Sequence, residues 1–296
     1  MNRTIIVGSR ESKLAARQSM LLVEYLRSAL PGTEVTLLTM KTTGDKILDK
    51  TLDKIGGKGL FVKELDMALR EHRADLTVHS LKDMPMEIPE DLPLLCFSRR
   101  EDPRDVLVLP ERKTEPEPGM VIGTSSPRRF LQIRELYPDS EVRPVRGNLQ
   151  TRLRKLDEGR FDALVLAAAG LKRMGLEHRI SQYFSTDEMI PATGQGILAV
   201  QGRRGEAYPF LAGFGDRDAA LAAVCERAFV RELDGGCTSP ACAFAAVSGG
   251  RIHLTGLYYD EATATCRRGS LDGDTREAEQ LGIHLARRLR SERGRV

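Results

Sequence analysis

Arginines recur at one kind of place in this sequence. The stretch VGSRES carries Gly8, Ser9, Arg10 and Ser12. IGTSSPRR carries Gly123, Thr124, Ser125, Ser126, Arg128 and Arg129, and VRGNLQTR carries Arg146, Gly147, Asn148 and Arg152. Each stretch ends an apolar run and opens a helical pattern. A helix starting there offers unpaired backbone N–H groups and a partial positive charge. Glycine admits close approach of an anion, and hydroxyls add donors. The dipole disfavours a cation in the first helical turn, a cost that an anionic ligand would offset. Arginine rather than lysine suits two-point recognition of carboxylate or phosphate. Taken singly, each junction reads as an ordinary cap beside a solvated arginine. Three together point to an anion site, which Arg173 in GLKRMG would join. None matches a Walker A loop or a dinucleotide fingerprint, so the expected ligand is a polyanion other than a nucleotide.

An acid stands in a comparable place. RADLTVHSLKDMP sets Ser80, Lys82 and Asp83 just beyond another strand. Asp83 is the best-placed group for proton transfer. Lys82 reads as an anion holder rather than an amine nucleophile, since nothing marks a Schiff-base pocket. His79 alternates out of phase with Ser80 and reads as structural. The segment KTTGDKILDKTLDKIGGKGLF reads as a solvated loop or as a mobile lid, with Lys54 and Lys58 reaching over the site. Cys237 follows Gly235-Gly236 in RELDGGCTSPACAF, with Cys242 five residues on. No C-x-x-C pair occurs, and Cys225, Cys237, Cys242, Cys266 and His253 have no structural-zinc spacing. No metal is expected.

Strands and helices must place these groups. TIIV (4–7), EVTLLTM (34–40) and DLTVHS (75–80) read as strands, with helices over 12–30 and 60–72 between them. A second series starts at VLVLP (106–110) and runs through MVIGTSS, EVRPVRG and DALVLAAAG, with helices from Pro127 and Asn148. Such alternation predicts mostly parallel sheets with helices on both faces. The segments 96–105 and 189–196 read as crossings between two lobes. After Gly215 the pattern changes to a long helix (217–233), strands at 241–247 and 251–259, and a last helix (274–290). That predicts a small α+β domain.

The 296 residues hold 45 basic and 42 acidic side chains, for a net charge of +3. This near balance and the absence of tryptophan argue against a nucleic-acid protein. No stretch approaches the ~20 apolar residues of a membrane span. An odd count of five cysteines suits reduced thiols and a cytoplasmic location.

Long blocks of the chain resemble the porphobilinogen deaminase, or hydroxymethylbilane synthase, family. They are GSRESKLAARQ, GGKGLFVKEL, RADLTVHSLKDMP, REDPRD, GTSSPRR, RGNLQTRLRKLDEGRFDALVLAAAGLKR, PATGQG and ERAFVRELDGGC, in family order and thinning after about residue 245. The resemblance implies an α/β protein with two periplasmic-binding-protein-like lobes plus a small α+β C-terminal domain. The expected boundaries are 1–97 with 195–214 for the first lobe (lid loop 42–60), 98–194 for the second and 215–296 for the third. It implies a dipyrromethane cofactor joined by a thioether to Cys237, a thiolate being a good carbon nucleophile. It implies condensation of four porphobilinogen molecules with loss of ammonia, and Asp83 as the acid.

Arg10, Arg128, Arg129, Arg146, Arg152 and Arg173 match the family's binding arginines, and Lys82 matches its neighbouring lysine. Ser80, Thr124, Ser125 and Ser126 match its hydroxyl and backbone donors, with Ser12 and Gly147 in the same strand-end loops. Lys54 and Lys58 match its lid lysines, and Gln18 and Gln195 fall in matching motifs. Porphobilinogen is the expected partner, the protein a monomer. Two departures stand out. Pro127 replaces a common leucine, and TSPACAF places a second thiol, Cys242, near the anchor, where it could compete for modification. A non-catalytic anion-binding module on the same lobes is the alternative reading; it leaves Asp83 and the Gly-Gly-Cys loop without a task.

Overall fold

The computed structural model describes residues 4–42, 62–235 and 239–291. The chain forms two compact units, Met1–Glu101 with Ile197–Ala220, and Asp102–Gly196 with Leu221–Val296. It leaves the first unit inside the expected 96–105 crossing and returns directly after the 189–196 crossing.

The first unit is built on one sheet. Its elements are β1 (Ile5–Arg10), α1 (Lys13–Ala29), β2 (Val35–Met40), α2 (Lys63–Arg70), β3 (Leu76–Ser80), β4 (Leu94–Phe97) and the returning strand β10 (Leu198–Gln201). Strand order is β2-β1-β3-β10-β4. Strand side chains alternate between faces. Val7, Leu76 and Val200 therefore pack with Leu22, Val23 and Leu26 of α1. Ile6 packs on the other face with Ala68 and Leu69 of α2.

The second unit holds two sheets. The larger comprises β5 (Asp105–Val108), β6 (Val121–Gly123), α3 (Pro127–Leu136), β7 (Glu141–Arg143), α4 (Leu149–Asp157), β8 (Ala163–Ala167), α5 (Ala168–Arg173) and β9 (Gln182–Tyr183). Its order is β7-β6-β8-β5-β9. Val106, Val108, Leu164 and Leu166 face α4 and α5, while Leu107, Leu109 and Val165 face Ile133 of α3.

The expected mostly parallel sheets are refined to mixed ones, in each of which four strands run one way and one runs against them. β1 pairs parallel with β2 and β3, but β10 is antiparallel to β3 and β4. β6 pairs parallel with β7 and β8, but β5 is antiparallel to β8 and β9. The physical reason lies in the connections. A helical crossover returns the chain in the same direction. In each sheet, β10 or β5 lies beside a crossing between units and enters without such a helix.

The C-terminal part consists of α6 (Arg217–Glu232), β11 (Cys242–Ser248), β12 (Arg251–Asp260), β13 (Thr265–Asp274) and α7 (Ala278–Ser291). The three strands form an antiparallel sheet. β13 was not expected from the sequence. Its segment TCRRGSLDGD has one aliphatic residue, and at the sheet edge it needs little apolar surface. Gly282 lets α7 approach α6 closely, since a side chain there would meet the Cys225 carbonyl and Phe229 backbone. No described helix is long and apolar enough to cross a membrane.

Candidate active site

All three predicted strand-to-helix junctions form. Ser12 caps α1, accepting from Ala15 N at 3.3 Å. Ser126 caps α3, accepting from Arg129 N at 3.5 Å, with Pro127 in the first turn. Asn148 caps α4, accepting from Thr151 N at 2.9 Å. Each cap uses one orphan N–H and leaves others at the helix start.

In the first unit, β1, α1 and β3 deliver one open cleft. Arg10, Gln18, His79, Ser80 and Asp83 line it together. Asp83 is exposed in a single 3₁₀ turn, Leu81–Asp83. The turn is held by Leu81 N donating to Ile197 O at 3.0 Å and Met84 N donating to Leu81 O at 3.1 Å. The returning chain thus supports the predicted acid. Ser80 Oγ donates to Gln18 Oε1 at 3.1 Å, so these two predicted ligand contacts bond each other. Lys82 is half-buried in the same turn. His79 is buried, with Nε2 2.9 Å from Thr77 Oγ1.

In the second unit the predicted residues divide. Arg146 is half-buried in the loop between β7 and α4, and its guanidinium makes no hydrogen bond or ion pair with the described residues. Gly147 has φ +115°, and a side chain there would strike Thr151. Its carbonyl accepts from Arg152 Nε at 2.8 Å. Arg173 donates to Gly196 O at 2.6 Å. Thr124 Oγ1 accepts from Ser126 N at 3.2 Å, and Ser125 Oγ donates to Val145 O at 2.8 Å. These hydroxyls shape the loop itself.

Arg128, Arg129 and Gln195, expected to bind cofactor or substrate, are buried on a protein carboxylate. They are 4%, 6% and 1% exposed. All three converge on Asp105, which is fully buried at the start of β5. Arg128 Nη1 donates to Oδ2 at 2.6 Å, Arg129 Nη2 to Oδ1 at 2.7 Å and Gln195 Nε2 to Oδ1 at 3.1 Å. Arg128 also donates to Ile190 O, and Arg129 to Val165 O. Burial alone would push the Asp105 carboxyl up. The two guanidiniums outweigh it and hold the group well below the usual carboxylate range. Sequence reasoning missed Asp105. The available signal was an acidic residue opening the apolar run VLVLP, where a charge must find partners.

Cys237, Lys54 and Lys58 lie outside the described residues. The four described cysteines bear on the anchor by contrast. Burial pushes Cys96 up to about 11, and Cys225 and Cys242 up to about 12; it also raises Cys266. Cys242 is 1% exposed, its Sγ 3.7 Å from Ile190 O. The expectation that Cys242 could compete for modification is therefore corrected: it is a core thiol, without the thiolate that reactivity needs.

Two family models match the chain. "Porphobilinogen deaminase, dipyromethane cofactor binding domain" covers residues 5–208, and "Porphobilinogen deaminase, C-terminal domain" covers 220–291. The chain belongs to the porphobilinogen deaminase family. A porphobilinogen deaminase of Ruminiclostridium josui is 52% identical over 289 residues, 98% of either chain. One of Acetivibrio thermocellus is 53% identical over 282 residues, 95% of this chain and 96% of that one. Among solved structures, a periplasmic aliphatic sulphonate-binding protein of Escherichia coli is 13% identical with a TM-score of 0.40, covering 78% of this chain and 70% of that one. That likeness is too slight to carry an argument. The porphobilinogen deaminase cofactor-binding domain thus spans the Asp83 cleft and all three arginine-bearing junctions.

Proposed function

We propose that this chain is a transferase that joins four porphobilinogen molecules head to tail, losing one ammonia at each joining, and releases hydroxymethylbilane by hydrolysis. A dipyrromethane cofactor, attached by a thioether to Cys237, supplies when bound the nucleophilic pyrrole carbon from which the chain grows. The donor set fits such a group. Each pyrrole carries two carboxylates, and helix N-termini with Arg10, Arg146 and Arg152 are chemically matched to a polycarboxylate. Burial raises all four described thiols, which supports Cys237 as the anchor.

The observation that carries the reading is Asp83, exposed in the same cleft as Arg10. Asp83 gives a proton to the departing amine, which leaves as ammonia. Its carboxylate then faces the positive pyrrole methylene. It takes up the proton lost when the new carbon–carbon bond has formed. Arg10 holds a substrate carboxylate beside it, with Ser12, Gln18, Ser80 and Lys82 around the cleft. Arg146, Arg152 and Arg173 bind further carboxylates, and Lys54 and Lys58, outside the described residues, supply two more cations. Thr124, Ser125, Ser126 and Gly147 contribute loop backbone. Arg128, Arg129 and Gln195 act through Asp105, as positioning residues beneath the α3 N-terminus. We read the protein as a cytoplasmic monomer, the odd cysteine count supporting the location.

Intact-mass measurement tests the reading. The expected result is a two-pyrrole adduct that peptide mapping assigns to Cys237. A Cys237 that stays bare after incubation with porphobilinogen overturns it and favours the binding-module alternative.

A further inference from the structure

Glu226 is a fully buried carboxylate on α6 that the reaction does not use. Its two oxygens serve backbone donors from two separate stretches of chain. Oε2 accepts from Gly194 N at 2.7 Å, and Oε1 accepts from Ala245 N of β11 at 2.8 Å. The residue type follows from that demand. A carboxylate accepts at both oxygens, whereas an amide accepts at one and would turn its NH2 against the other N–H. Gly194 and Ala245 are themselves buried, so neither donor can turn to water instead.

The Gly194 donor belongs to a turn that reaches a ligand-binding arginine. Segment 192–196 holds two left-handed glycines, Gly194 at φ +73° and Gly196 at φ +88°. Glycine adopts many conformations at little steric cost, so these residues alone do not fix where the Gly196 carbonyl points. Hydrogen bonds to the turn fix it. Glu226 holds Gly194 N, Thr193 Oγ1 accepts from Ala243 N at 3.3 Å, and Gln195 N donates to Ala192 O at 2.8 Å. The Gly196 carbonyl then accepts from Arg173 Nη2 at 2.6 Å. A guanidinium is a rigid planar fork, so a bond at one nitrogen sets the direction of the others. Glu226 thereby reaches Arg173 through the backbone of the turn.

We propose that Glu226, with Thr193, is a positioning residue for substrate binding: it fixes the Gly196 carbonyl that aims Arg173 at a substrate carboxylate. The inference rests on the reading of Arg173 above, and its test separates the two.

The test is a double-substitution cycle in porphobilinogen turnover, on full-length proteins matched for cofactor content by intact mass. Arg173→Gln should raise KM about tenfold, as expected for loss of a charged contact to the substrate. Glu226→Gln should raise KM about three- to tenfold and hold kcat within about twofold, the pattern of weakened binding with intact chemistry. The two together should raise KM no further than Arg173→Gln alone, because Glu226 acts through that arginine. A purely structural role would lower the active fraction, and with it the apparent kcat and the urea midpoint, at constant KM. An unchanged KM in Glu226→Gln, or effects that multiply in the double variant, overturns the proposal. Should Glu226→Gln not fold, Thr193→Val decides. It keeps the side-chain shape, removes one tie to the turn and should raise KM about two- to threefold; an unchanged KM overturns the proposal. An unaltered KM in Arg173→Gln would instead overturn the reading of Arg173, and the inference with it.

Discussion

Two of the three arginine-bearing junctions look alike in sequence and differ in chemistry. Arg10 ends β1 in the first unit, half-buried in an open cleft with an exposed acid. Arg128 and Arg129 follow β6 in the second unit and lie in the core, bonded to Asp105. Both regions set a glycine, hydroxyls and an arginine at a helix start. The difference is burial. Arg10 is presented where a ligand carboxylate can reach it. The arginine pair already has a protein carboxylate, and burial makes that pairing compulsory. Similar local patterns therefore place one arginine on a cleft wall and two in the core.

The comparison can be broken most sharply at the acids. Asp83→Asn should lower kcat by about 10²–10⁴-fold with little change in KM or stability, by steady-state kinetics and urea unfolding. A near-normal rate would remove Asp83 from its role. Asp105→Ala should do the reverse. Leaving two buried guanidiniums without their carboxylate costs about 3–5 kcal/mol, read as a lowered urea midpoint. An unchanged midpoint would mean that Asp105 does not brace α3.

The arginines sharpen the contrast at smaller amplitude. Arg10→Leu should raise KM about ten- to a hundredfold and leave the unfolding midpoint in place, as expected for loss of one charged hydrogen bond to a ligand. Arg129→Leu should lower the midpoint. The same response from both variants would erase the distinction drawn here.

The smallest effect concerns pH. Burial raises Asp66 from 3.8 to about 6 in the folded protein. A raised folded value means that this group's contribution is fully present below its unfolded value and fades as pH rises through about 6. Asp66→Asn should therefore gain on the order of 2 kcal/mol relative to the unaltered chain between pH 4 and 7, seen as a flatter stability–pH curve. Parallel curves would show that Asp66 ionises without penalty.

Much of the site was legible because its signals are local. Ser12, Ser126 and Asn148 cap helices where their neighbours say they should, since capping depends on a few adjacent residues. Asp83 and Arg10 stand at the ends of predicted strands. β13 escaped notice because an edge strand needs few apolar residues, and its pairing with β12 lies in the partner strand.

The sequence by itself determined the α/β alternation, the helix starts, a candidate acid and the supply of cations, because periodicity and capping act over a few residues. Tertiary structure decided which cations remain available. Asp105 reaches Arg128, Arg129 and Gln195 across 23, 24 and 90 residues of chain. It also buried Cys242 against Ile190, 52 residues away, and so took from that thiol the reactivity its place near Cys237 suggested. Burial and counter-ion pairing belong to the folded environment, and no spacing of residues along the chain encodes them alone.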